Sequence, residues 1–190
     1  MTERLDDEIE LEVVRDVIDR ISTNVSMLVD REIKIRDVTT AHATERPAGR
    51  SSVHISFKLG LSNDSGAEGQ GCILVPLPDA LSLACYLMMF PEGEVKAQRK
   101  NKALDQSTKD ALLELGNFIG AAVDEVLRSR PYCTSVRMDG CQGVRSNVRP
   151  ALNYSDGDEL LVGRAMVQLH EFPEFEMIMM VPPLPLGSEA

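Results

Sequence analysis

Residues 105–129 read DQSTKDALLELGNFIGAAVDEVLRS, and the plan of the whole chain follows from this stretch outward. At about 100° per residue, Ser107, Asp110, Glu114, Asn117, Ala121 and Asp124 fall within an arc of roughly 100°. Leu112, Leu115, Ile119, Ala122 and Val126 make one apolar flank, and Leu113, Gly116, Gly120 and Val123 make the other. The spacing therefore predicts a long helix that is apolar on two sides and presents a narrow polar ridge. Gly116 and Gly120 each cost such a helix about 1 kcal/mol against alanine. Close approach of another backbone on that flank is the expected compensation.

Upstream of this helix, Pro78 and Asp79 open a short helix that runs to about Phe90, since proline and an acidic residue both favour a first turn. Pro91–Leu104 reads as a polar connection. Earlier still, a helix from about Asp6 to Val29 shows Val14, Val17, Ile18, Ile21, Val25 and Leu28 at helical spacing, with acidic first turns that suit the helix dipole. Three strands follow it, at 32–40, 52–61 and 70–77. The first has charged residues alternating with Ile33 and Ile35, and the second is regular in Val53, Ile55, Phe57 and Leu59. Residues 41–50 and 62–69 read as loops. Downstream, the helix ends before Pro131. Strands are predicted near 134–145, 159–170 and 175–181, with a bend or bulge at Gly140 and Gly143 and a tail from Leu184. The order is thus long helix and three strands, twice over, with short elements between. The predicted class is α+β: a pseudo-symmetric repeat giving a mainly antiparallel six-stranded sheet with helices packed on one face, residues 1–190 forming a single domain.

Composition agrees with one domain and narrows its partners. The 190 residues are 43% hydrophobic and 26% charged, ordinary for a globular chain. The formal net charge of -10 opposes general binding to nucleic acid or anionic membrane. Aromatic residues make up only 4%, without tryptophan, which disfavours a base-stacking platform. No basic leader or membrane-length apolar run is visible, so a cytoplasmic protein is expected. Cys72, Cys85, Cys133 and Cys141 form no Cys-x-x-Cys pair, and His42, His54 and His170 are scattered. Reduced, mostly buried thiols and no metal site are expected.

The chemistry points back to the ridge. Glu114 and Asn117 stand at i and i+3, so both side chains reach into one small volume. A carboxylate pairs with a cation. A primary amide both donates and accepts, and can orient a water. The pair has neither a nucleophile nor a histidine base, which suits a site that assists a reaction whose other parts come from a partner.

Asp110-x-x-x-Glu114-x-x-Asn117 within LLELGNFIG resembles the signature helix of the CheC/CheX/FliY chemotaxis phosphatases. The preceding GCILVPLPDALSLACYLMM is similar to the strand and helix before that signature, and the element order fits over nearly the whole chain. The resemblance implies hydrolysis of the aspartyl-phosphate on a CheY-like response-regulator receiver domain. Asn117 would place the attacking water in line, Glu114 would pair with the receiver's active-site lysine, and Asp110 would support them. No cofactor is implied for this chain, because the Mg²⁺ belongs to the receiver. Some family members carry a second Glu-x-x-Asn on the first helix. Here Asn24, taken as its counterpart, has Ile21 three residues before it, so the chain is more similar to the single-site CheX branch. Gly140 also stands where related signatures continue to a proline. The same fold class serves flagellar switch components, so a non-catalytic receiver-binding module is the alternative.

Lys96, Arg99, Lys100 and Lys102 form a basic segment leading into the signature helix. Receiver active sites are acidic, so this segment is a candidate docking element. Met88 and Met89, like Met177, Met179 and Met180, read as core or subunit contacts. Residues 176–181 are apolar on both alternations and are expected to be covered on both faces, by the chain itself or by a second copy in a homodimer.

Overall fold

The computed structural model describes residues 5–50, 52–130, 132–133, 135–155 and 157–187. Pro131, the strand start at Thr134, the extreme N-terminus and the last residues of the tail lie outside them. Two helices of equal length set the plan: α1 (Asp7–Val29) and α4 (Gln106–Arg128), 23 residues each. Each begins at an aspartate whose side chain accepts an otherwise unpaired backbone N–H. Asp6 accepts from Ile9 at 2.9 Å and Asp105 from Thr108 at 2.8 Å. Their burial patterns superpose. With Ile18 laid on Gly116, every buried residue of α1 falls on a buried residue of α4: Glu10 on Thr108, Val13 on Ala111, Val14 on Leu112, Val17 on Leu115, Ile21 on Ile119, Val25 on Val123 and Val29 on Leu127.

The strands are β1 (Ile33–Ala43), β2 (His54–Ser62), β3 (Glu68–Pro76), β4 (Ser135–Val144), β5 (Leu160–Leu169) and β6 (Phe175–Val181). They form one six-stranded sheet in the order β1-β5-β6-β3-β2-β4, with every neighbouring pair antiparallel. Exchanging the two halves of the chain (β1 for β4, β2 for β5, β3 for β6) leaves that order unchanged. The repeat is therefore a real pseudo-twofold, with its axis between β6 and β3. Each half lends its first strand to the other half's edge.

The helices α1, α2 (Leu77–Leu87) and α4 cover one face of the sheet, over a core that includes Phe57, Leu59, Ile73, Leu161, Ala165 and Met179. The opposite alternation, Cys72, Leu74, Val162, Ile178 and Met180, packs under Leu152 and Tyr154 of the β4–β5 connection. Arg46 Nη1 donates to the carbonyls of Pro150 and Leu152, both at 3.1 Å, and holds that flap down. The double burial of β6 is thus achieved within the chain, and this strand gives no ground for a homodimer.

Four sequence expectations shift. The connection after Pro91 contains a short helix, α3 (Glu92–Gln98), whose single buried residue, Val95, is too little for a visible period. β1 runs on to Ala43, because a bulge between Arg36 and Thr39, with Asp37 at φ 54°, breaks the alternation partway. The tail is packed: Leu184 and Leu186 are buried, and Leu186 N–H donates to Tyr132 at 2.7 Å. Finally, of the two places expected for Met89, core or subunit contact, the first is excluded, since it is 90% exposed. The bulge expected in β4 is present at Gly140, φ 112°, where the β2–β4 register slips by one residue.

Candidate functional site

The ridge is built from behind. At Gly116 an added Cβ would sit 2.3 Å from Met138 Cε and 3.2 Å from the Phe57 ring. At Gly120 it would sit 3.2 Å from the backbone nitrogen of Met138. The two glycines thus let β4 lie directly against α4, which is the close approach their helix cost implied. Asp124 adds a second tie: its carboxylate accepts from Val136 N–H at 2.8 Å and pairs with Arg128 at 3.1 Å. This last residue of the predicted ridge is structural.

With its back fixed, α4 presents Ser107, Asp110, Glu114, Asn117 and Ala121 to solvent. Asn117 Nδ2 lies 3.5 Å from Glu114 Oε2, a long contact that leaves both groups open to a partner. Asp110 is occupied locally, accepting from Gln106 Nε2 at 2.8 Å. Leu113, expected on a buried flank, is 43% exposed and lies one turn before Asn117. It stands at the margin of its flank nearest the ridge, so β4 does not reach it. The arrangement offers one carboxylate, one amide and one apolar side chain on a rigid convex surface. It can clamp a cation and orient a water for chemistry that occurs on another molecule.

The superposed burial patterns relocate the counterpart of this pair on α1. Asp16 and Asp19, rather than Ile21 and Asn24, occupy the positions of Glu114 and Asn117. Asp16 is held by Arg130 at 2.5 Å, and the same guanidinium takes Glu12 at 3.0 Å. Asp19 has no amide N–H to donate. The α1 ridge therefore has its carboxylate engaged and its amide missing. Finding it requires the burial register, which polarity shows only weakly, because Glu10 is buried whereas Leu11 and Leu28 are half-buried and Met27 is exposed.

The basic segment does not act as one patch. Arg99 is turned inward, with its side chain 16% exposed, and pairs with buried Asp79 at 2.8 Å. Its Nη1 donates to Ser82 Oγ at 2.6 Å and to the Pro78 carbonyl at 3.3 Å, and the guanidinium lies 4.0 Å above the Phe172 ring. Burial raises the Asp79 carboxyl above its ordinary value even though Arg99 opposes the shift. Lys96 pairs with Glu92 at 3.7 Å, whereas Lys100 and Lys102 are exposed.

One cluster escaped sequence reading. His42 of β1 meets Glu10 of α1 at 2.5 Å through Nε2 and Glu159 at 3.1 Å through Nδ1. Asp7, Glu10 and His42 each offer a ligand atom, all within 4.8 Å of one another. Glu10 and Glu159 have further partners as well. The group reads as a clamp joining the first turn of α1 to the edge of the sheet. No local spacing could reveal it. The four cysteines are free thiols, and burial pushes Cys72 up to about 12 and Cys133 up to about 11, which leaves both unreactive. Among the described residues, no helix is long and apolar enough to cross a membrane.

No family model matches the chain, and no curated protein matches it in sequence. Solved structures do match in shape. FliY from Thermotoga maritima superposes with a TM-score of 0.69 at 16% identity, over 95% of this chain and 90% of that one. A chain of the FliG–FliM complex from H. pylori gives 0.65 at 15% identity, over 94% of each. The chemotaxis protein CheX from Vibrio vulnificus gives 0.59 at 12% identity, over 90% of this chain and 98% of that one. The chain has the fold shared by FliY, CheC-like and CheX proteins, as its signature helix implied.

Proposed function

We propose that this protein is a CheX-like phosphatase that stimulates hydrolysis of the aspartyl-phosphate on a CheY-like receiver domain. One observation carries the reading: Glu114 and Asn117 share an exposed ridge on a helix whose opposite side is locked against β4. Phosphoryl transfer needs positioning and charge stabilisation more than covalent chemistry from the protein. The receiver supplies the phosphoryl group, its lysine and its Mg²⁺. Asn117 supplies an amide whose oxygen accepts from the attacking water while its N–H₂ group fixes the orientation. Glu114 pairs with the receiver lysine and sets the register of docking. Asp110, held by Gln106, supports the ridge from its N-terminal side.

The test is phosphate release from a panel of phosphorylated receivers, with wild type beside Asn117→Ala. Release is expected to rise with wild-type protein and to stay at the receiver's own rate with the variant. Equal rates with and without the wild-type protein across the panel would remove the enzymatic reading. A second reading, receiver binding without hydrolysis, is left open by the engaged and amide-free α1 ridge, since only one of the two equivalent surfaces carries an amide. Binding to a phosphorylated receiver without turnover would select it.

A further inference from the structure

The basic segment ahead of α4 divides sharply between a buried arginine and exposed lysines. Arg99 is the residue that closes α3, and it makes three polar contacts and one ring contact in a single site. Those contacts come from the first two turns of α2 (Pro78, Asp79, Ser82) and from the β5–β6 turn (Phe172). The exposed cations begin at the next residue: Lys100 follows Arg99 directly, and Lys102 stands three residues before Asp105, the cap of α4. The segment is thus fixed at both ends, by Arg99 on α2 and by Asp105 on α4. A planar guanidinium with a fork of donors and a stacking face holds one orientation, which a lysine ammonium in its place would not.

We infer that Arg99 is a positioning residue for partner docking: it holds the segment of Lys100 and Lys102 that leads into the N-terminus of α4, the helix that carries Glu114 and Asn117. This inference rests on the proposed docking of an acidic receiver surface on α4. In a chain of net charge -10, long-range repulsion opposes an acidic partner, so steering depends on a local cationic point that does not wander. Arg99 contributes no contact to the partner. It acts through the two lysines.

The experiment measures the association rate with a receiver carrying beryllium fluoride at its aspartate, over a range of salt, with phosphate release followed in parallel. Arg99→Lys keeps a cation beside Asp79 and removes the fork and the stack. It is expected to slow association about fivefold at low salt, flatten the salt dependence and leave the maximal release rate at saturating receiver unchanged. Lys100→Glu with Lys102→Glu is expected to slow association about tenfold in the wild-type background but less than about twofold further in the Arg99→Lys background. Multiplicative effects of the two changes, an unchanged association rate in Arg99→Lys, or a fall in maximal rate alone would each overturn the inference. Should Arg99→Lys fail to give a cooperative melt, Phe172→Leu serves instead, because it leaves the Asp79 pair in place; the same outcomes decide. Binding that shows this pattern without any phosphate release retains the inference and removes only the hydrolytic reading. No binding to any receiver overturns both.

Discussion

The two long helices, α1 and α4, have the same length and an aspartate cap each, and every position buried on α1 is buried on α4, yet only α4 sets a carboxylate and an amide together on its exposed ridge. The difference begins underneath. In the first half the bulk sits on the helix: Val14 lies where a side chain on Gly163 of β5 would need to go, at 2.4 Å. In the second half the bulk sits on the sheet, where Met138 and Phe57 fill the notch at Gly116. Ile18 occupies on α1 the position that Gly116 occupies on α4. The outer faces differ as well. Asp16 is drawn into an ion pair with Arg130, while Glu114 is left to Asn117 at long range. One repeated scaffold thus supports two packing solutions, with the bulk supplied by the helix in one half and by the sheet in the other.

The largest expected effect tests the packing side of this contrast. Ile18→Ala removes a fully buried side chain from the half that is filled by the helix, and is expected to cost about 2–5 kcal/mol in urea unfolding. Gly116→Val overfills the half that is filled by the sheet. It is expected to cost about 1–3 kcal/mol, less because Met138 can swing its terminal methyl aside. A loss in Gly116→Val larger than that in Ile18→Ala would show that the notch is the stiffer of the two interfaces.

Much of this plan is legible in the sequence, and the parts that are not have specific physical causes. The ridge from Asp110 to Asn117 is visible because a helix has one period, and charge standing on that period declares a face. The glycine pair predicted the close strand, since nothing else justified its cost. What stayed hidden depends on distance in space. Arg99 reads as one cation among four, and only the fold brings Asp79 and Phe172 to it. The counterpart of Glu114 was misplaced on Ile21 because Asn24 is conspicuous in the sequence, whereas the burial register that selects Asp16 is not. Leu113 looked apolar and therefore inward, but a flank is buried only as far as its neighbour extends.

Smaller effects separate the two outer faces. Glu114→Gln removes the docking charge, and about tenfold more receiver is expected for half-maximal phosphate release, near 1.4 kcal/mol, with the maximal rate little changed. A drop in maximal rate alone would move Glu114 from docking to chemistry. At the equivalent place on α1, Asp16→Asn loses only a partly exposed ion pair with Arg130. It is expected to change stability by less than about 1 kcal/mol and to leave phosphate release as in wild type. A large change in release would mean that the α1 ridge also meets the partner.

The most direct measurement sets the two ridges against each other on one phosphorylated receiver: the rate constant of phosphate loss with Asn117→Ala beside that with Asp19→Ala. With Asn117→Ala the rate is expected to return to the receiver's own, at least about 100-fold below wild type if the amide places the water. With Asp19→Ala it is expected to equal wild type. Retained activity in Asn117→Ala, or an equal loss in Asp19→Ala, would contradict the account that α4 alone carries the chemistry.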